Sequence, residues 1–132
     1  MLKVSTKSQY GLRAMVFLAK HEDKISPLKE ISQKEGISFD YLEKIISRLE
    51  KAGLVKSKKG SRGGYSLAKL PRRIKIGEII RSLEGEAALV KCIGQGGNCL
   101  LKKKCFAKKF WEKLQKSINA ALDSLTLADL IK

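Results

Sequence analysis

The hydrophobic period of the sequence changes at Gly53, and this change restricts the fold more than any other feature. Before Gly53, apolar residues recur at helical spacing in three short segments. After it, two short runs, 54–58 and 65–67, look like strands, and the glycine-rich stretch 60–64 between them indicates a hairpin turn. Helices followed at once by a hairpin predict a mainly α fold with a small β-hairpin.

The N-terminal part of the chain predicts two helices. In the first, over 8–20, the apolar residues fall at i, i+3, i+4 and i+7, the spacing of one buried face: Leu12, Met15, Val16 and Ala19. The second starts with Ser26 as an N-cap and Pro27 at the first helical position, and Gly36 ends it.

A third helix follows after a short turn that contains Gly36. Ser38 is placed to cap its start, and Gly53 stands where a left-handed C-terminal cap is needed. Its apolar face consists of Leu42, Ile45, Ile46 and Leu49. Two helices joined by a short glycine-containing turn form the helix-turn-helix format, in which the second helix enters the major groove of DNA.

The other face of this third helix offers side chains that can read bases. With the capping serine, the candidate DNA-binding set is Ser38, Asp40, Tyr41, Glu43, Lys44 and Arg48. Lys44 and Arg48 carry donors for guanine edges or phosphates. Glu43 can accept from cytosine and so favour sequence selectivity, or it can pair with Lys44 or a helical neighbour. The sequence leaves both roles of Glu43 open.

The predicted hairpin is strongly basic. Residues 51–75 contain nine basic side chains and no acidic one, in a chain whose formal net charge is +15. Lys59, Ser61 and Arg62 fall at the tip of the hairpin. A helix-turn-helix followed by such a hairpin is the winged-helix arrangement, whose wing contacts the DNA backbone or minor groove. We therefore expect a head that binds double-stranded DNA.

Other classes of function fit the sequence less well. Catalysis is not expected, because the chain has one histidine and neither a phosphate-binding glycine loop nor a metalloprotease motif. An RNA-binding protein could carry the same charge, but the aromatic residues fall mostly at predicted core or cap positions rather than on a stacking platform. The longest apolar run, 14–19, is too short to span a membrane and no signal peptide is evident, so a cytoplasmic protein is expected.

The second half of the chain predicts a short helix over 78–83, packed under the wing, and a long helix over about 107–125. The long helix carries an apolar stripe in near-heptad spacing: Trp111, Leu114, Ile118, Ala121 and Leu125. One small head does not easily cover this stripe, so a homodimerisation helix is expected, with packing on its own head as the alternative. The predicted regions are the winged helix-turn-helix head (1–84), a cysteine-bearing loop (85–106), and the dimerisation helix with a C-terminal turn (107–132).

All three cysteines of the chain lie close together, as Cys92, Cys99 and Cys105, in a stretch that contains glycines. An odd number leaves one thiol over from disulfide pairing, and a reducing cytosol disfavours disulfides. Thiolates that converge from a loop bind a soft metal or an iron-sulfur cluster. The spacing is wider than in zinc fingers, which favours a cluster of the 2Fe-2S or 4Fe-4S type but leaves zinc open.

Several motifs are shared with a known family. The shared motifs are residues 3–7 together with residues 10–13, residues 37–43, residues 53–55, Gly60 together with residues 63–65, and the three-cysteine loop. Together they resemble the winged-helix regulators of the IscR, NsrR, RirA and CymR type over nearly the whole chain. The Gly-Gly-Tyr wing is typical of that family, and the cysteine trio is typical of its cluster-binding branch, since CymR-like members lack it.

The resemblance implies a homodimer that binds partly palindromic operators, and a cluster whose presence or state changes DNA affinity. It also implies base-reading positions for Glu43 and Lys44 and a wing tip formed by Lys59, Ser61 and Arg62.

The sequence differs from the family that it resembles at the positions that supply the fourth cluster ligand. IscR-like members have a histidine where this chain has Lys108, and NsrR-like members have an acidic residue where it has Gln9. Protonated lysine has no lone pair to offer, and a carboxamide oxygen is a weak ligand for iron. The single histidine, His21, is expected to be solvated or to cap the first helix rather than to bind metal.

Overall fold

The computed structural model of this protein describes residues 3–85 and 106–132. In those ranges the helices are α1 (Thr6–Lys20), α2 (Leu28–Glu35), α3 (Phe39–Lys51), α4 (Ile76–Glu84), α5 (Phe106–Ser124) and α6 (Leu127–Leu130). The strands β1 (Val55–Lys58) and β2 (Gly64–Leu67) pair antiparallel, and Pro71–Arg73 forms a 3-10 turn. The expected mainly α fold with one small hairpin is confirmed. The cysteines Cys92, Cys99 and Cys105 lie outside the described residues.

The first three helices form the expected helix-turn-helix around one hydrophobic core. Helix α3 begins at Phe39 because the Ser38 side chain accepts a hydrogen bond of 3.2 Å from the Tyr41 N–H. Its predicted apolar face is buried throughout: Leu42, Ile45, Ile46 and Leu49. Burying a leucine or isoleucine side chain contributes about 1.5–3 kcal/mol, so this face holds α3 firmly on the head.

The wing is anchored to the segment that precedes α2. The Ser26 N–H donates to the Tyr65 carbonyl at 2.9 Å, and the Tyr65 N–H donates to the Ser26 carbonyl at 2.8 Å. A Cβ on Gly64 would lie 2.4 Å from the Ser26 carbonyl oxygen, so the close approach requires glycine there. The prediction of Ser26 as the N-cap of α2 is wrong, because its backbone pairs with the wing and Pro27 takes the cap position.

Helix α4 packs mainly against α1, with further contacts to α3 and α5. The prediction that it lies under the wing is therefore wrong. Its apolar side, with Ile79 and Leu83 fully buried, faces the core. The packing with α1 is close: a Cβ on Gly11 would lie 2.1 Å from Leu83 Cδ1.

Helix α5 rests on the head near its C-terminal end. Arg81 of α4 donates two hydrogen bonds to Asp123, at 2.8 and 3.0 Å. After α5 the chain returns to the core, where the Leu127 side chain is fully buried and its N–H donates to the Ile74 carbonyl at 2.8 Å. The Thr126 and Asp129 side chains form a capping box that starts α6. The C-terminal turn is thus part of the core of the head.

Among residues 3–85 and 106–132, no helix combines the length and the apolar character that crossing a membrane requires.

Candidate nucleic-acid interface

The outward face of α3 is open to solvent over its whole length. The exposed residues include those expected from the sequence, Asp40, Tyr41, Glu43, Lys44 and Arg48, and also Ser47. The Tyr41 ring meets the Tyr10 ring edge-to-face at 5.8 Å, which ties the start of α3 to α1. Within the described residues, neither Glu43 nor Lys44 forms an ion pair, so the pairing considered for Glu43 is absent. Both side chains are available to a ligand.

A shallow hollow of about 710 Å³ runs along this face of α3. Lys7 of α1 and Tyr65 of β2 line it together with α3 residues that include Ser47 and Lys51. Sequence reasoning did not assign Lys7 or Tyr65 to the site. Both occur in motifs that carry the family resemblance, but only the packing of α1 and the wing beside α3 brings them there.

Tyr65 is a wing residue that lines this hollow, and its hydroxyl can donate a hydrogen bond. Burial, and then the carboxylates of Glu50 and Glu43, raise the pKa of Tyr65 above its ordinary value. The protonated phenol can donate a hydrogen bond to an anionic oxygen.

The wing tip presents exposed cations on a tight turn. Lys59, Ser61 and Arg62 are all exposed there, as expected. Gly60 has φ +113°, which side-chain-bearing residues rarely adopt, and a Cβ on Gly63 would lie 2.2 Å from the Lys58 carbonyl oxygen. In the described part of the chain, the two cations of the tip have no carboxylate partner, so their charge is free for an anion.

Arg48 differs from the other predicted DNA-binding residues, because part of its guanidinium is already engaged. Its Nη1 donates to the Leu83 carbonyl oxygen at 2.9 Å, in the last turn of α4. The next residue, Glu84, accepts hydrogen bonds from the hydroxyls of Ser5 and Ser8 at the start of α1. These bonds, Ser5 first, lower the pKa of Glu84, with Lys7 and Arg48 adding to the effect.

The residues considered as a fourth cluster ligand have other partners. Gln9 Nε2 donates to the Val4 carbonyl at 2.9 Å, and Lys108 Nζ lies 3.7 Å from a Glu112 carboxylate oxygen. His21 is the C-cap of α1, with Nδ1 at 2.8 Å from the Phe17 carbonyl oxygen, so the expected capping role is confirmed. No group of three or more His, Cys, Asp or Glu in the described ranges is suited to hold a metal ion.

The predicted dimerisation stripe lies on helix α5, which the described residues of the chain cover only in part. No residue of α5 is buried, and Trp111, Leu114 and Ile118 are half-buried. Leu125 follows the end of α5 and is exposed. At the other end, Phe106 is 86% exposed and Phe110 is 57% exposed.

An exposed helix of a helix-turn-helix beside a basic hairpin defines a winged-helix DNA-binding protein. This chain belongs to the Rrf2 family: the family profile, described as "Iron-dependent Transcriptional regulator", matches residues 4–132. It is a transcriptional regulator rather than an enzyme, as its relatives are.

Relatives and solved structures agree over almost the full chain. Protein rrf2 of Nitratidesulfovibrio vulgaris is 37% identical over 99% of this chain and 88% of its own length. The HTH-type transcriptional regulator IscR of Yersinia pestis is 36% identical over 98% of this chain and 79% of its own. The structure of T. potens IscR matches with a TM-score of 0.81 and 47% identity, covering 98% of this chain and 86% of that one. The structure of CymR, described as the global cysteine regulator of B. subtilis, has a TM-score of 0.85 and 40% identity, covering 99% and 97%.

Proposed function

We propose that this regulator is a homodimer that binds a partly palindromic operator in double-stranded DNA and changes its affinity through an iron-sulfur cluster. The observation that carries the DNA-binding part is the open face of α3 beside a wing tip whose cations have no carboxylate partner in the described residues. A regulator of transcription acts where the chromosome lies, so we place it in the cytoplasm.

In this proposal α3 enters the major groove. Glu43 and Lys44 read base edges, since both are exposed and unpaired within the described chain. The start of the helix, with Ser38, Asp40 and Tyr41, lies at the groove edge. The wing contacts the backbone or minor groove through Lys59, Ser61 and Arg62.

The long helix α5 mediates dimerisation in this proposal. Its contacts with its own head include the Arg81–Asp123 pair and the packing of Leu122 against the core, whereas Phe106 and Phe110 at the other end are exposed. A second copy would cover the stripe of Trp111, Leu114, Ile118 and Leu125. Two-fold symmetry of the protein then requires a partly palindromic operator, because each head binds one half-site.

The cluster would be held by Cys92, Cys99 and Cys105. Three thiolates are a soft donor set that suits iron-sulfur ligation, and relatives named IscR support the same assignment. Gln9 and Lys108 offer no good fourth ligand, so one iron would be completed by water, a small thiol, a weak oxygen donor or a residue from the second subunit. Such a cluster would supply chemistry that responds to oxygen, nitric oxide or iron supply.

The test of the cofactor is the visible spectrum, with iron and sulfide analysis, of anaerobically purified protein. We expect absorption from a cluster that each of the changes Cys92→Ala, Cys99→Ala and Cys105→Ala abolishes, whereas Lys108→Ala and His21→Ala retain it. If the analysis finds zinc and no sulfide, the cysteines hold a structural zinc ion rather than an iron-sulfur cluster. A bleached Lys108→Ala protein would identify that residue as the fourth ligand.

The test of the partner is a mobility-shift competition. Labelled duplex DNA that the protein itself selects from a random library is challenged with unlabelled duplex and with structured RNA. Preferential displacement by RNA would contradict the DNA-binding proposal.

The change Glu43→Ala should broaden the range of selected operators more than it lowers peak affinity, because it removes a penalty against wrong bases.

A further inference from the structure

The last turn of α4 is packed between α1 and α3. The Leu83 side chain is fully buried, and a Cβ on Gly11 would come within 2.1 Å of Leu83 Cδ1 and 3.4 Å of Ile45 Cγ2. Leu83 of α4 and Ile45 of α3 therefore both pack at Gly11 of α1. Any movement of this end of α4 must displace side chains on which α3 rests.

Arg48 adds a directional link at the same place. The last four carbonyls of a helix have no partner within the helix, and the helix end carries partial negative charge. The Arg48 guanidinium of α3 donates to one of these carbonyls, that of Leu83, at 2.9 Å. Gly85 ends α4 with φ +76°, and its N–H donates to the Arg81 carbonyl at 2.9 Å. Arg48 thus satisfies one terminal carbonyl of α4 from another helix.

The other side of the same turn is held by α1. Glu84 accepts from the Ser5 hydroxyl and, at 2.6 Å, from the Ser8 hydroxyl. The end of α4 is therefore bonded both to the start of α1 and to the outward face of α3. Seven residues after Gly85 in the sequence comes Cys92, the first of the three cysteines.

We propose that Arg48 is a positioning residue rather than a DNA contact, and that it makes the placement of α3 depend on the end of α4 from which the chain continues to the cysteines. The inference rests on the proposed function, in which α3 enters DNA. It corrects the assignment that residue type and exposure alone suggest for an arginine on this face.

Two matched variants, Arg48→Met and Lys44→Met, separate positioning from DNA contact. Each removes one cation from α3, and only Arg48 bonds α4. Backbone hydrogen exchange of the free protein should become about tenfold faster in the last turn of α4 for Arg48→Met and stay unchanged for Lys44→Met. If hydrogen exchange in the last turn of α4 is unchanged in both variants, the proposal is overturned, independently of their affinities for DNA.

The salt dependence of binding to the selected duplex gives the second measure. Each phosphate contact adds about 0.9 to the slope of log affinity against log salt. We expect the wing variant Arg62→Ala to reduce the slope by about one, and Arg48→Met to lower affinity about tenfold with the slope unchanged. A slope reduced by about one in Arg48→Met would make Arg48 a DNA contact. Wild-type protein without salt-dependent duplex binding would instead overturn the proposed function, and the exchange measurement would still decide the role of Arg48.

The dependence on the cysteine-bearing part is measured as a ratio. Affinity for the selected duplex is compared between protein reconstituted anaerobically with iron and sulfide and the same protein after chelation. The ratio should approach one in Arg48→Met. The coupling would be overturned if the wild-type ratio differs from one and the Arg48→Met ratio is the same as the wild-type ratio. A wild-type ratio of one would contradict control of DNA affinity by the cluster, and therefore also the coupling. The hydrogen-exchange result would still decide whether Arg48 is a positioning residue.

Discussion

Helices α3 and α5 are both amphipathic, but they differ in what covers the apolar face. In α3 the face is buried by the same chain, with Leu42, Ile46 and Leu49 fully inaccessible. In α5, which has 19 residues, no residue is buried within the described chain. The same helical periodicity therefore accompanies an internal core in α3, whereas in α5 it forms a face that the described chain leaves largely accessible and that we propose a second copy covers.

The largest expected effect breaks the proposed interface of α5. The change Ile118→Glu places an unpaired carboxylate in the apolar stripe, which costs several kcal/mol when a second copy covers it, about enough to dissociate a dimer. Sedimentation velocity should show a monomer whose head remains folded by circular dichroism. Lys116→Glu, on an exposed position of the same helix, is the control and should remain dimeric. An intact Ile118→Glu dimer would show that α5 packs only on its own head.

The corresponding change in α3 should act within one chain. Ile46 is fully buried, so Ile46→Ala removes packed methylene groups and should lower the free energy of unfolding by about 2–5 kcal/mol. Urea denaturation measures this loss, which we expect to be independent of protein concentration, in contrast to changes in α5. A loss below about 1 kcal/mol would mean that the α3 face is less tightly packed than described.

A smaller effect is expected at the wing tip, where Lys59, Ser61 and Arg62 are exposed and where we propose contact with DNA. Arg62 is exposed and has no ion-pair partner in the described chain, so Arg62→Ala should leave stability unchanged. Duplex binding should fall about tenfold at low salt and the slope against log salt should drop by about one, because counterion release is lost. Fluorescence anisotropy at several salt concentrations checks this. Equal slopes and affinities for variant and wild type would exclude the wing as a DNA contact.

The smallest effect concerns pH. The Ser5 and Ser8 hydroxyls hold the pKa of Glu84 below its ordinary value of 4.5 in the folded protein. A carboxyl with a lowered folded pKa adds stability above its unfolded pKa, and this stability is lost as pH falls through the folded pKa. Glu84→Gln should therefore flatten the fall of the unfolding midpoint as pH drops below the ordinary value of 4.5. An unchanged acid profile would show that the hydroxyl bonds to Glu84 do not favour its charged form.

Local patterns predicted most of the helices and the wing. The spacing of apolar residues placed α3 correctly, and Ser38 marked its start, because a cap and its N–H partner lie three residues apart. The glycines of 60–64 likewise predicted the wing turn. These signals depend on neighbours in sequence, so no knowledge of the rest of the chain is needed to use them.

The candidate site was predicted only in part. The exposed face of α3 follows from the position of its buried face, and the wing tip follows from the hairpin. Lys7 and Tyr65 were missed because they reach α3 from elements far away in sequence. Residue type and exposure predicted Arg48 as a DNA contact, and they do not show that the Leu83 carbonyl oxygen lies 2.9 Å from its guanidinium.

By itself, the sequence determined that this chain forms a small basic winged helix-turn-helix with an amphipathic helix beyond it, since helix periodicity, caps and turn glycines act over a few residues. Only the tertiary structure decided which distant groups meet. It paired Ser26 with Tyr65, buried Leu127 in the head and brought Arg48 to the end of α4. Such contacts depend on the packing of whole elements, in which each backbone group and cation takes the partner that the fold brings within reach.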